Sequence, residues 1–196
     1  KISVVKGPAP TLFGANSMGG VINIVSQRVV GPPVREARLS FSENGGSELF
    51  LNYGAAANRL DWWLSAGRSA SDGYNLSGDF QSISLEDGGL RYNSDYRHIN
   101  LDGKLNYTLA DKTLVSFSAG MYDAVRGLPT GTDKGTYLRY PYWRRWYADI
   151  GADGQFGALS EWKVKFYYDD CENRLRRFKD SAMTEPNLVF DSYHDS

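Results

Sequence analysis

Apolar and polar residues alternate along most of the chain after residue 34. In the clearest case, HINLDGKLNYTL at 98–109, one face carries Ile99, Leu101, Leu105, Tyr107 and Leu109. A period of two over this length predicts a β-strand with one apolar and one polar face. Similar alternation predicts six more strands, at 35–44, 48–57, 60–69, 113–123, 145–156 and 161–169. The pattern therefore predicts an all-β chain of about seven antiparallel strands.

Short and long connections alternate between these strands, apart from an additional short turn at 44–46. The short ones lie near residues 44–46, 58, 110–112 and 157–158, and the long ones at 71–96, 124–144 and 171–196. A compact soluble domain rarely carries repeated loops of about 20 residues. Outer-membrane β-barrels have short periplasmic turns and long extracellular loops, and a tilted strand of about 10 residues crosses the membrane. The connections therefore favour part of a transmembrane antiparallel β-barrel.

A soluble antiparallel sandwich is the alternative, because it also alternates apolar and polar residues. Two features favour the barrel. Charges such as Lys163 and Lys165 follow one another on the polar faces, and Tyr and Trp recur towards strand ends, as in interfacial girdles. No apolar run reaches the roughly 18–20 residues of a membrane-spanning helix, but barrel strands produce no such hydropathy peak.

The composition excludes some functions. The net charge of −1 provides no basic field for nucleic acid. Aromatic residues make up 14% of the chain and glycines number 21, which favours strands and turns over helical bundles. The single cysteine, Cys171, excludes an internal disulfide. Because the sequence starts with Lys1 within a strand-like stretch, we expect it to be an interior fragment of a longer protein.

The stretch VVKGPAPTLFGANSMGGVINIVS, at 4–26, is dense in glycine and proline. Gly14 and Gly19 have the spacing of a phosphate-binding Walker loop, but Gly20-Val21 follow where that loop has Lys and Ser or Thr. A dinucleotide-binding loop leads into a helix, whereas VINIV predicts a strand. Both phosphate-binding interpretations fail.

The same stretch closely resembles the end of the plug domain in TonB-dependent outer-membrane transporters. That family usually has V-x-R-G-P, then small-x-x-L-Y-G, then G-G-V-I-N-I. The motif positions, to which the resemblance assigns a structural and gating role, are Lys6, Gly7, Pro8, Leu12, Gly14, Gly19, Gly20, Val21, Ile22, Asn23 and Ile24. Three positions depart from the usual run: Lys6 replaces Arg, Phe13 replaces Tyr, and Ser26-Gln27 replace Thr-Lys.

The resemblance implies a division of the chain into three parts. Residues 1–28 would be the C-terminal end of the plug, 29–33 a linker, and 34–196 the first part of a barrel of about 22 strands. A signal peptide, a TonB box and the rest of the plug would precede Lys1, and further strands would follow Ser196.

The implied function is TonB-dependent, energised uptake of a scarce, large nutrient across the outer membrane of a Gram-negative bacterium. A ferric siderophore is the expected substrate, with haem and cobalamin as alternatives. The implied partners are the TonB complex at the inner membrane, outer-membrane lipid and lipopolysaccharide, with no cofactor and no enzymatic activity. The competing functional class is a passive outer-membrane barrel or adhesin without TonB coupling.

Candidate substrate-binding residues concentrate in the second long connection. Aromatic rings can enclose a flat ligand and arginines can attract an anionic chelate. The candidates are Tyr137, Arg139, Tyr140, Tyr142, Trp143 and Arg144, and the weaker ones, in the preceding long connection, are Tyr74, Phe80, Tyr92 and Tyr96. An outer aromatic girdle with arginines towards lipopolysaccharide fits the first cluster equally well, and Trp146 would belong to that girdle.

Other reactive side chains do not form a catalytic or metal-binding pattern. His98 and His194 are far apart, and Cys171 has no paired histidine motif. Asp169, Asp170 and Glu172 lack the spacing of a calcium loop. We therefore expect no catalytic residues and no metal site.

Overall fold

The computed structural model describes residues 2–7, 19–24, 28–110, 112–129, 131, 135–157 and 160–191. Within these ranges the chain forms ten β-strands and no helix: β1 Ile2–Lys6, β2 Gly20–Ile24, β3 Val34–Ser42, β4 Gly46–Ala57, β5 Leu60–Ser71, β6 Tyr96–Ala110, β7 Thr113–Leu128, β8 Tyr137–Phe156, β9 Ser160–Phe178 and β10 Pro186–Asp191. No helix suited to crossing a membrane occurs in these ranges.

Strands β3 to β10 form one antiparallel sheet in which each strand pairs with its neighbours in sequence. The hairpins are short where the sequence predicts them. Asn44 and Gly45 both have positive φ, 55° and 65°, which is the geometry that an Asn-Gly hairpin turn requires. The all-β, antiparallel fold class predicted from alternation is confirmed.

The register gives the sheet two distinct faces. One cross-strand row pairs Ala37, Leu51, Ala66, Leu101, Met121 and Trp146 in succession. Residues on this side form the apolar face, where large side chains such as Phe166 (69% exposed) lie open. The opposite side, which we call the polar face, bears Asp61, Asn106, Asp102 and Tyr147. The hydrophobic side chains of the sheet therefore mostly face outwards instead of into a core.

The strands extend further than the alternation predicts. Strand β7 continues to Leu128, β8 already begins at Tyr137, and β9 continues to Phe178, so the connections expected at 124–144 and 171–196 are shorter. An additional strand, β10, lies within the second of these ranges. Polar and aromatic side chains occur on both faces there, so hydrophobicity no longer alternates although backbone pairing continues.

The plug-like motif forms a separate two-stranded sheet. Strand β1 pairs with β2 from Ile2↔Ile24 to Lys6↔Gly20. A Cβ at Gly20 would lie 2.7 Å from the Val5 carbonyl oxygen, so this position needs glycine for close backbone approach. Pro8, Leu12 and Gly14 lie outside the described residues, whereas Gly7 and Gly19 flank the strands.

The segment after the motif is fixed to the polar face of the sheet. The Arg28 Nε donates a hydrogen bond to Asp61 Oδ2 at 2.8 Å, and Asn106 Nδ2 donates to Asp61 Oδ1 at 2.6 Å. Asp61 and Asn106 are 3% and 2% exposed. Val29 is buried, and it lies so close to Gly54 that a Cβ there would be 2.8 Å from its Cγ2. Arg28 thus balances a buried carboxylate at the short-turn end of the sheet.

Candidate binding site on the polar face

Strand β8 carries all six principal candidates, and a bulge divides them between the two faces. Between Tyr140 and Trp143, β8 contains one residue more than β7, and between Arg139 and Tyr142 it contains one residue more than β9. Pro141 lies inside this irregularity, where its missing N–H removes no ladder hydrogen bond that a regular strand would need. Because of the extra residue, Tyr140 and Trp143 lie on the same face although they are three positions apart.

Tyr140 and Trp143 lie on the polar face with their ring centroids 5.1 Å apart and tilted by 47°. In register, Tyr96 pairs with Arg126 and Arg126 pairs with Tyr140. Next to this row, His98 stacks on Tyr96 at 5.9 Å and contacts Tyr122 at 5.7 Å. The result is an aromatic lining across three strands with the exposed guanidinium of Arg126 in its middle.

A depression of about 940 Å³ opens beside these rings. Its polar-face lining includes Asn100, Asp102, Tyr122, Arg126, Trp143, Arg145, Tyr147, Tyr167, Asp169 and Cys171. Aromatic walls with a few charged groups are the usual composition of a small-molecule site. The depression is the best candidate for a binding site among the described residues.

The floor of the depression is held by hydrogen bonds across strands. The Tyr147 hydroxyl donates to Asp102 Oδ1 at 2.6 Å, reaching over Gly120. Arg145 donates through two nitrogens to the carboxylate of Asp169. Such bidentate arginine–carboxylate pairs fix side-chain orientation as well as charge. The floor is therefore ordered before any ligand binds.

The other candidates from β8 lie on the opposite side. Tyr142 donates a hydrogen bond to Glu172 Oε1 at 3.0 Å, and the guanidinium groups of Arg144 and Arg174 lie 5.2 and 5.5 Å from its ring centroid. Arg144 also bonds to Asp123, which pairs in register with Ile99 on the apolar face. The bulge therefore divides the cluster, with Tyr140 and Trp143 on the polar face and Tyr142 and Arg144 on the apolar face.

Arg139 and Tyr137 belong to the same side as Tyr142. Arg139 forms a bidentate ion pair with Asp95, the last residue before β6, and contacts Asn93 Oδ1 at 3.3 Å. Hydrogen bonding to Asp95 raises the pKa of Arg139 above its ordinary value. The Tyr137 backbone pairs with Phe178. Arg139 thus ties the end of β8 to the preceding long connection.

That preceding connection, residues 72–95, is internally ordered. Glu86 is fully buried and pairs with Arg91 Nη1 at 2.5 Å. Asn93 Nδ2 donates to the carbonyl oxygens of Leu128 and Leu138, at 2.8 and 2.6 Å. These two carbonyls belong to paired residues at the ends of β7 and β8. The loop is consequently fastened to the neighbouring hairpin.

The weaker candidates do not come together. Tyr96 joins the aromatic lining, whereas Tyr74 and Tyr92 are exposed on the 72–95 loop. Phe80 lies in a turn of that loop, where its amide donates to the Ser77 carbonyl. Of these four, only Tyr96 shares a cross-strand row with a principal candidate.

The sequence interpretation missed much of the lining as a site. None of Tyr122, Arg126, Tyr147 and Tyr167 is among the candidate residues predicted from the sequence, although all four line the depression. Their convergence depends on register across three strands, β7 to β9, which alternation within one strand does not define. No three His, Cys, Asp or Glu side chains in the described ranges are grouped so as to hold a metal ion.

Comparison with known proteins gives a match of fold. No family model and no curated protein matches the chain. Among solved structures, the chain is similar to the copper transporter OprC, with a TM-score of 0.69 and 17% sequence identity. The match covers 91% of this chain and 26% of the OprC chain, so the chain spans about a quarter of that protein. The antiparallel sheet described above is therefore a fold also found in OprC.

Proposed function

We propose that the chain belongs to a TonB-dependent transporter in the outer membrane of a Gram-negative bacterium. The observation that carries this proposal is the two-faced sheet: an exposed apolar face backs a polar face with an aromatic depression, on a fold similar to that of a copper transporter. In a barrel the first face contacts lipid and the second lines the interior. The plug-like motif at the start of the chain supports the same function.

In this proposal the long strands cross the membrane and continue beyond it. Strands β8 and β9 have 20 and 19 residues, whereas about 9–11 are enough to cross the membrane. The additional paired residues would project outwards as a wall that carries the 72–95 connection. The short turns near Asn58 and Gly157 would then face the periplasm.

Residues 1–28 would form the end of the plug and 29–33 the linker to the barrel. The ion pair of Arg28 with Asp61 supports this, because it places the chain after the motif on the polar face, where a plug would lie. A TonB box in a segment outside these residues would couple the plug to the TonB complex. Lipopolysaccharide and phospholipid would surround the apolar face.

The proposed substrate is a ferric siderophore, with haem or cobalamin as alternatives. Tyr140 and Trp143 would contact the ligand, and Arg126 would attract an anionic group. Tyr137, Arg139, Tyr142 and Arg144 would shape and brace the outer wall of the mouth. Copper is a second candidate substrate, which the fold similarity to the copper transporter OprC favours.

Neighbouring residues on opposite faces provide a matched test of this proposal. The protein, expressed from its complete reading frame, is compared with Trp143→Ala and Arg144→Ala for binding of ferric siderophores, haem, cobalamin and copper ions. Trp143→Ala removes an aromatic contact with the ligand and should weaken binding by about tenfold or more. Arg144→Ala removes an arginine from the opposite face and should leave the affinity within about twofold. Equal losses in the two variants would contradict the assignment of the polar face as the ligand face.

Uptake measurements distinguish the transporter from the alternative class. Accumulation of the bound ligand in cells should depend on TonB and stop in a strain that lacks it. Accumulation that is independent of TonB would identify a passive barrel, and cell adherence without accumulation would identify an adhesin.

A further inference from the structure

Two arginines on the apolar face form no ion pair or side-chain hydrogen bond with the described residues of the sheet. Arg68 on β5 and Arg97 on β6 are both exposed, and neither guanidinium has an ion-pair or hydrogen-bond partner among the described residues. Arg68 pairs in register with Ile99, and Arg97 lies two positions from Ile99 on the same face. The two positive charges are therefore diagonal neighbours on adjacent strands.

The nearest acidic residue in register does not neutralise them. Asp123 of β7 pairs in register with Ile99 of β6, but its carboxylate already accepts a hydrogen bond from Arg144 Nε at 2.9 Å. On the other side, the register places Leu49 of β4 beside Arg68. Two neighbouring guanidinium groups without a carboxylate partner would be stabilised by an anion from outside the chain.

An apolar groove begins at Ala66, two positions from Arg68, and at Leu101, four positions from Arg97. It has a volume of about 990 Å³ and a mostly apolar lining that includes Leu51, Leu64, Leu101, Met121 and Trp146, with Arg35 at its β3 edge. Its floor is low because Gly103, Ala119 and Ala148 pair in one row between rows of larger side chains. Ala66 and Arg68 are successive residues on this face of β5, about 7 Å apart.

We propose that Arg68 and Arg97 bind the phosphate head group of an anionic lipid whose acyl chain lies in this groove. The inference rests on the proposed membrane location of the apolar face. The two arginines carry positive charge, and the groove near them is apolar. An anionic lipid supplies both a negative head group and a flexible apolar chain in one molecule, so we favour a lipid over a protein partner. Arginine suits phosphate through its planar set of donors.

The test uses quenching of tryptophan fluorescence by brominated lipids. The protein from its complete reading frame is reconstituted in phosphatidylcholine vesicles that contain either brominated phosphatidylglycerol or brominated phosphatidylcholine. Each basic residue near a lipid surface contributes about fivefold to anionic-lipid preference, so two should give a preference of roughly fivefold to thirtyfold. Arg68→Gln/Arg97→Gln should abolish that preference.

The control Arg38→Gln/Lys163→Gln removes the same charge from the polar face and should keep the preference. Retention of the preference in Arg68→Gln/Arg97→Gln would overturn the inference. The inference would also be overturned if millimolar inorganic phosphate removed the preference of the unsubstituted protein while chloride of equal ionic strength did not. The two arginines would then be a site for a free anion. Absence of quenching by either lipid would instead contradict the membrane location, and with it the proposed function.

Discussion

The Tyr147 hydroxyl lies 2.6 Å from Asp102 Oδ1 although the two residues are two strands apart. Gly120 of the intervening strand pairs with both of them. A Cβ at Gly120 would lie 2.5 Å from Tyr147 Cε1 and 2.6 Å from Asp102 Oδ1. The contact beneath the candidate binding site therefore exists because the strand between carries no side chain at this position.

Gly120→Ala should push Tyr147 away from Asp102 and destabilise the protein by about 1–3 kcal/mol, the usual range for overpacking. Gly103→Ala is a matched control, because its Cβ would meet nothing closer than Leu64 Cδ2 at 3.4 Å. Urea unfolding followed by tryptophan fluorescence measures both free energies. Equal effects of the two substitutions would show that Gly120 has no special role in spacing the strands.

Tyr147→Phe should cost about 1–3 kcal/mol, because it removes the donor and leaves the Asp102 carboxylate with Asn100 at 3.4 Å. Asp102→Asn provides the second arm of a double-mutant cycle. We expect a coupling of about 0.5–3 kcal/mol between the two positions. Strictly additive free energies of unfolding would mean that the two side chains do not interact in solution.

Arg28→Ala should release the segment that follows the plug-like motif. The buried Asp61 would lose its positive partner, and breaking a fully buried pair costs about 3–5 kcal/mol. Because the Arg28 side chain is 42% exposed, solvent weakens the effect, and we expect about 1–3 kcal/mol.

Faster proteolytic cleavage near residues 28–33 would report this release. Arg38→Ala, which breaks an exposed pair with Glu36 at 3.2 Å, should change neither cleavage nor stability by more than about 1 kcal/mol. Indistinguishable cleavage of the two variants would contradict an anchoring role for Arg28.

Asn93→Ala should loosen the 72–95 connection. It removes the two hydrogen bonds to the carbonyl oxygens of Leu128 and Leu138 and the one that Asn93 Oδ1 accepts from Arg139. It also places alanine at a φ of 54°, for a combined loss of about 2–4 kcal/mol locally. Hydrogen–deuterium exchange over 72–95 should accelerate accordingly. Asn58→Ala, at a φ of 53° in a tight turn, controls for the cost of placing alanine at a positive φ. Equal acceleration of exchange at 72–95 in both variants would contradict the role of Asn93 in fastening the connection.

Alternation alone predicted the strands well where one face is apolar. Strand β5, expected at 60–69, runs from Leu60 to Ser71, and β7 begins at the expected Thr113. Along these segments residues of the polar face alternate with residues of the apolar face, so the alternation in the sequence predicts which side chains share a face of the paired sheet.

The same rule could not predict the upper part of β8. From Tyr137 to Arg145 aromatic and basic residues occupy both faces, and the bulge at Pro141 shifts the phase by one residue. The candidate residues were therefore found as a group, but their division between faces depends on pairing with β7 and β9. Arg28 was missed for a similar reason, because Asp61 is 33 residues away.

The additional residue at Pro141 makes the upper part of β8 sensitive to length rather than to composition. If one residue is deleted there, the side chains before it exchange faces relative to those after it, so Tyr140 moves to the apolar face and Arg139 to the polar face. A change of chain length by one residue can thus replace an aromatic lining with a charged one without any substitution. Insertions and deletions at this point offer a short route to a different ligand.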